Sequence, residues 1–144
     1  MILGIAIRPA THSHGLISAT KEYVINLPTT KILEQVDRCG TVSGRTCPDK
    51  FRAFGLTPVP SVKVRPPCIE ECPVNIECEV LEVTRVGDHD LFLGKAVAMR
   101  VDADKLDERG EILAGALNPI VYITGEYWSI GERLGTLYFT ARDK

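Results

Sequence analysis

The sequence predicts a mainly β fold carrying a few short helices, and three observations predict it. Two long strand-like stretches, 74–83 and 91–101, flank the turn signal Gly87-Asp88-His89-Asp90, as the arms of a hairpin would. The chain opens on an apolar run of strand length, Ile2 to Ile7. Helical signals, with their caps, are confined to short stretches between strand-like ones. The strand spacing, with Gly94 inside the last long strand, points to a closed or nearly closed barrel.

The run 2–7 shows no polar face, so cover on both sides is expected. A short helix over 14–20 follows, then the strand Glu22-Tyr23-Val24-Ile25-Asn26, ended by Pro28. Thr29 or Thr30 caps a helix through Val36, with Ile32, Leu33 and Val36 on one stripe and Gly40 at its exit. Ser43-Gly44 is a turn, and 49–54 is a further short helix closed by Gly55. The proline-rich segment 58–67 crosses the surface. In the strand 74–83 the alternation slips at Val80-Leu81, as a bulge makes it do. A charged connection, 102–110, leads to a last clear strand at 119–123, to Tyr127-Trp128, and to the tail residues Leu137-Tyr138-Phe139.

At 144 residues the chain is read as one domain, 1–144, with an ordinary 44% apolar and 25% charged composition. A net charge of −2 argues against a nucleic-acid partner, which selects a basic excess. No apolar run reaches membrane-spanning length, and Met1-Ile2-Leu3 lacks the basic region of a signal peptide. A cytoplasmic protein without membrane contact is therefore expected. The five cysteines, Cys39, Cys47, Cys68, Cys72 and Cys78, do not follow paired CxxC spacing. They are expected to be free thiols holding no metal, with Cys78 a small buried residue of a strand.

The stretch from Ile5 to Ile17 carries the chemistry. An apolar strand breaks at Arg8-Pro9 and passes through Thr11 and Ser13, either of which can cap a helix start. Unpaired N–H groups and a partial positive charge at such a start, with Arg8 beside it, make an anion site. The same residues also fit a satisfied cap next to a solvated arginine.

Several pieces then recur in a known order. They are Arg8-Pro9 leading to Ser13 and Leu16-Ile17, Tyr23-Val24-Ile25-Asn26-Leu27-Pro28, Cys39-Gly40, Ser43-Gly44-Arg45 and Asp49-Lys50-Phe51. Glu71-Cys72-Pro73-Val74-Asn75, His89-Asp90-Leu91-Phe92-Leu93-Gly94, Asn118-Pro119-Ile120-Val121-Tyr122 and Gly131-Glu132 complete them. In this order the chain resembles the flavin reductase-like family, also called flavoredoxin-like, whose fold is the FMN-binding split β-barrel.

The resemblance implies FMN bound at a homodimer interface. It implies a phosphate held by the turn after Arg8, with Thr11, Ser13 and His14; Ser13 stands in place of a usual threonine, and Ala10 where many members have serine. Lys50 falls in a motif near the flavin, and is equally readable as a solvated helix lysine. His89 is the candidate catalytic residue, near the flavin or the nicotinamide; a histidine between two aspartates also reads as a solvated turn residue. Tyr127 and Trp128 either cover the flavin ring or pack in the core. Members of the family carry further strands ahead of the position of Met1, so the chain is expected to be N-terminally shortened and to bind FMN more weakly. The activity implied is hydride transfer from NADH or NADPH to FMN, with a redox partner protein among the candidates for the next acceptor. The alternatives are a non-enzymatic FMN electron carrier of flavoredoxin type, or a fragment with impaired flavin binding.

Overall fold

The computed structural model describes residues 1–141. The longest strands are β5 (Val74–Val86) and β6 (His89–Val101), joined by the two-residue turn Gly87-Asp88. Gly87 adopts φ 59°, which the first position of so tight a turn favours in glycine. The turn is shorter than the sequence suggests, because His89 already pairs with Val86. β1 (Ile2–Ile7) adds antiparallel to β6, and β2 (Glu22–Leu27) adds antiparallel to β5. The resulting sheet runs β1-β6-β5-β2 and is open among the described residues, with β1 and β2 at its edges.

Two irregularities bend β5 against β6, one between Glu77 and Cys78 and one between Val80 and Glu82. The second is the bulge that the slip at Val80-Leu81 announces. The inward side chains Val74, Ile76 and Cys78 of β5 join Tyr23 and Phe92 in the core. Leu3, Ile5 and Ile7 of β1 and Ile17 of the first helix pack against that core.

The expected cover on both faces of β1 is not found among the described residues. Its pattern alternates between exposed and half-buried, and Ile2 is 56% exposed. The reason is the pleat: only alternate residues of the strand face the core.

Helix α1 (His12–Thr20) starts at Thr11, whose Oγ1 accepts from the His14 N–H at 3.2 Å. It ends at Lys21 in the left-handed conformation. Helix α2 (Leu33–Thr41) follows a short 3₁₀ turn capped by Thr29. Gly40 therefore lies inside the last turn of α2 and not at its exit. Helix α3 (Lys50–Phe54) is capped by Asp49, which accepts from Arg52 N–H at 3.0 Å, and is closed by Gly55 at φ 69°.

The proline-rich segment is more than a surface crossing. With the short strands β3 (Pro58–Val59) and β4 (Cys68–Ile69), which pair with each other, it covers one end of the sheet's second face. There Glu77, 3% exposed, accepts from the N–H groups of Val62 (2.9 Å), Lys63 (2.7 Å) and Val64 (3.2 Å).

A short helix α4 (Ala114–Leu117) leads into the hairpin β7 (Ile120–Ile123) and β8 (Glu126–Ser129), a two-stranded sheet of its own. The hairpin is tied to the rest of the chain by Asn118, just ahead of its base, whose Nδ2 donates to Thr30 Oγ1 at 2.7 Å, and by Tyr127, nearer its turn, whose hydroxyl donates to Asp37 Oδ1 at 3.0 Å. Trp128 is 55% exposed, so neither it nor Tyr127 serves as core. No helix among the described residues is long and apolar enough to cross a membrane.

Candidate functional site

The sequence Arg8-Pro9-Ala10-Thr11 forces a turn between β1 and α1, and the turn is closed by hydrogen bonds. Thr11 N–H and Thr11 Oγ1 both donate to the Arg8 carbonyl, at 3.0 and 2.9 Å. The same hydroxyl accepts from His14 N–H, so the side chain of Thr11 is fully engaged in building the helix start. The first turn of α1 then keeps the N–H groups of His12 and Ser13 without intrahelical partners, as every helix start does.

That turn forms one wall of a cleft of about 470 Å³. The opposite wall is the end of α2 and the loop after it, Cys39 to Gly44, and Lys50 at the start of α3 closes the far side. Lys50 is there for a local reason: its Nζ donates to the Cys39 carbonyl at 2.6 Å, satisfying a group that the end of α2 leaves free. Burial pushes the Cys39 thiol up, and the Lys50 ammonium pulls it the other way. Across the cleft the His12 ring lies against Gly44. A Cβ on Gly44 would stand 2.6 Å from His12 Cδ2, so glycine at this position is what lets the two walls approach. The lining contains a lysine, a histidine and several hydroxyl groups and, among the described residues, no carboxylate.

Of the residues that the sequence singles out, Thr11, Ser13 and Lys50 meet in this cleft. Arg8 and His14 direct their side chains elsewhere, to the β5–β6 hairpin. Arg8 Nε lies 3.4 Å from Asp88 Oδ2 in a largely exposed pair, which such exposure makes weak. His14 Nε2 lies 2.7 Å from Asp90 Oδ2, and its ring stands edge-on to Phe92 at 5.3 Å.

His89 is not in the cleft. Strand alternation puts it on the sheet face opposite Asp90 and Phe92. It lines a smaller recess of about 280 Å³ with Ala6, Val86 and Leu91. Its Nδ1 lies 2.7 Å from Asp88 Oδ1, and this contact, with a lesser contribution from Arg8, holds the Asp88 carboxyl below the usual range. Asp88 therefore links Arg8 to His89.

Sequence reasoning missed His12 and the wall residues Thr41 and Val42. His12 carried no signal of its own beyond its place between the cap and Ser13, and its partner Gly44 lies far along the chain.

The five cysteines are free thiols, three of them buried: Cys68, Cys72 and Cys78. Burial pushes the Cys72 thiol up to about 12, which leaves it protonated and unreactive at neutral pH. Among the described residues no group of histidine, cysteine and acidic side chains is arranged to hold a metal.

The profile of the flavin reductase like domain matches residues 1–131. An uncharacterised protein of Pyrococcus abyssi is 43% identical over 97 residues, covering 67% of this chain and 55% of that protein. One of Archaeoglobus fulgidus is 40% identical over 94 residues, covering 65% and 52%. The chain thus spans about half the length of these curated relatives. Among solved structures, flavoredoxin of Desulfovibrio vulgaris superposes with a TM-score of 0.90 at 27% identity, over 97% of this chain and 75% of that one. The FMN-binding protein from Thermus thermophilus with bound 1-cyclohex-2-enone does so with a TM-score of 0.75 at 25% identity, over 94% and 72%. With the domain profile covering nearly its whole length and the same fold in these structures, the chain belongs to the family of flavin reductase-like domains.

Proposed function

We propose that the cleft between α1, α2 and α3 receives the phosphate of FMN, and that the protein is an FMN-dependent oxidoreductase drawing on NADH or NADPH. The observation that carries this reading is the lining. Helix-start N–H groups, the Ser13 hydroxyl, His12 and the Lys50 ammonium line it, with no acidic side chain among the described residues there, which is what a dianionic phosphate requires. Family membership and the likeness to flavoredoxin and to an FMN-binding protein support flavin as the body attached to that phosphate. Once bound, the flavin supplies the hydride chemistry, and the protein positions it and sets its surroundings. Ser13 and Lys50 would bind the phosphate. Thr11 acts one step back, by holding the helix start in shape. Arg8 is free to leave its weak exposed pair with Asp88 and add a second cation. The likeness to flavoredoxin keeps a purely electron-carrying role as the second reading, and that role would involve a redox partner protein.

Lys50→Met, which keeps the stem and removes the charge, should weaken FMN about tenfold to a hundredfold, the value of one charge-assisted contact. Riboflavin, which lacks the phosphate, should change by less than about twofold. Flavin fluorescence titration reads both; equal losses for the two ligands would reject the phosphate assignment. Oxidation of NADH or NADPH with added FMN separates the enzyme from the carrier.

We also infer a homodimer. The hairpin β7–β8 and the tail carry Tyr122, Trp128, Leu137 and Tyr138 in exposed positions, and Ile2 and Val86 are exposed on the sheet. Large apolar side chains exposed in this way suit burial against a second copy of the chain. Replacing both Tyr122 and Trp128 with glutamate should move the protein from dimer to monomer in sedimentation velocity; a monomeric wild type would dispose of this inference.

A further inference from the structure

The anion cleft is shaped from behind by a group that does not line it. His14 is the third residue of α1, and its side chain leaves the helix on the sheet side. There Asp90, the second residue of β6, takes two hydrogen bonds. His14 Nε2 lies 2.7 Å from Oδ2, and Arg85 Nη1 from β5 donates to Oδ1 at 3.1 Å. The His14 and Asp90 side chains are 18% and 17% exposed, so water competes little for this contact. The imidazole is also fixed by Phe92, a fully buried ring that it meets at 73°. The backbone continues the same chain of contacts: His14 N–H donates to Thr11 Oγ1, and Thr11 Oγ1 donates to the Arg8 carbonyl.

A helix held only at its cap can still rotate about its axis. One held in addition by a side chain at its third position cannot. Rotation matters here because His12 and Ser13, whose N–H groups have no intrahelical partner, line the cleft, and turning α1 would carry them away from it. We propose that Asp90 is a positioning residue for the anion cleft: acting through His14, it fixes the rotation of the first turn of α1 and so the aim of its free N–H groups. This rests on the reading of the cleft as the flavin phosphate site. It assigns Asp90 no contact with the ligand. It also moves His14 from ligand to strut. The exposed pair of Arg8 with Asp88 does not duplicate the device, since both its side chains are open to solvent.

The test uses the full chain with four single substitutions and one double. Asp90→Ala should weaken FMN about tenfold while riboflavin changes by less than about threefold, because only the phosphate depends on the aim of the N–H groups. Asp90→Asn, whose amide oxygen still accepts from the imidazole, should stay within about threefold of the parent for both ligands. His14→Ala should behave as Asp90→Ala, and His14→Gln, which can still donate to Asp90, should recover most of the loss. The double variant Asp90→Ala with His14→Ala should lose no more than Asp90→Ala alone, since each single variant already removes the contact between His14 and Asp90. A merely structural role predicts equal losses for the two flavins and no rescue, and that result overturns the proposal, as do additive losses in the double variant.

Amide hydrogen exchange in the flavin-free protein provides a readout that does not depend on flavin binding. Exchange at Thr11 and His14, whose N–H groups are hydrogen-bonded in the helix start, should rise about tenfold in Asp90→Ala while Ile25 and Ile76 in the sheet stay protected. Unchanged exchange at Thr11 and His14 overturns the positioning role whether or not flavin binds. If the parent protein binds neither flavin, the reading of the cleft falls, and exchange alone then decides for or against the strut.

Discussion

Gly94→Ala is expected to destabilise the protein by about 2–4 kcal/mol, from overpacking combined with a lost hydrogen bond. A Cβ at this position would stand 2.7 Å from Tyr23 Cζ and 2.9 Å from Cε1, and closer still to the hydroxyl. Tyr23 cannot step aside. It is 4% exposed, sits in the core with Phe92 and Cys78, and donates its hydroxyl to the Leu3 carbonyl at 3.0 Å. That bond joins β2 to β1 across the two strands between them, so displacing the ring also loosens the edge of the sheet that carries the anion cleft. The denaturant midpoint reads the loss directly. Tyr23→Phe in the Gly94→Ala background removes the clashing oxygen and should recover part of it. A loss below about 0.5 kcal/mol would mean that the core accommodates the methyl without strain. Burial pushes the Tyr23 hydroxyl from 10.0 up to about 12. The unfolded chain therefore gives up this proton first as pH rises, and the stability that Tyr23 contributes is present below pH 10 and lost progressively from there towards 12.

Glu77→Ala should cost about 3 kcal/mol, because a buried carboxylate is replaced by nothing while its three donors remain. The donors belong to consecutive residues, Val62 to Val64, and Val64 is itself buried. Without the carboxylate the proline-rich cover of the sheet has no anchor at its centre. Cys68, 1% exposed beneath that cover and in contact with Ser61, should then react with a thiol reagent far faster than in the parent protein. Glu77→Gln, which keeps the shape but turns one acceptor into a donor, should fall between the two. Equal rates of Cys68 labelling in parent and Glu77→Ala would show that the cover holds by its prolines and packing alone.

Glu77 also shows where the sequence misleads. In Val74-Asn75-Ile76-Glu77-Cys78 the alternation is plain, and it correctly gives a strand with Val74, Ile76 and Cys78 inward. It equally reads Asn75 and Glu77 as a solvent face, yet both are buried. What buries them arrives from 57–72, a segment whose turns and prolines carry no periodic signal. The first bulge, between Glu77 and Cys78, was hidden for the same reason, since a polar residue there looks ordinary. The second was visible because it sets Val80 beside Leu81. At the cleft, Thr11, Ser13 and Lys50 were legible because capping residues and a short recognisable motif are local features. His12 was not, because its role depends on a glycine across the cleft. Arg8 and His14 were placed on the right turn, but with side chains that follow charges on a hairpin whose position only the fold reveals.

The strand order β1-β6-β5-β2 has a kinetic consequence. β5 and β6 are neighbours in sequence, closed by a two-residue turn, and such a hairpin forms with little loop entropy to overcome. β1 comes from far upstream: Ile2 must find Lys95, and Ile7 must find Asp90. Pairings that distant are slow, because the entropy of closing the loop is lost before the contacts form. The Arg8 turn and the start of α1 hang from the end of β1, and the strut to Asp90 spans the same gap. Assembly of the cleft therefore waits for the last strand to dock. In the folded protein the β1 edge should be the first to open, so a ligand held in the cleft would act chiefly as a brake on that opening.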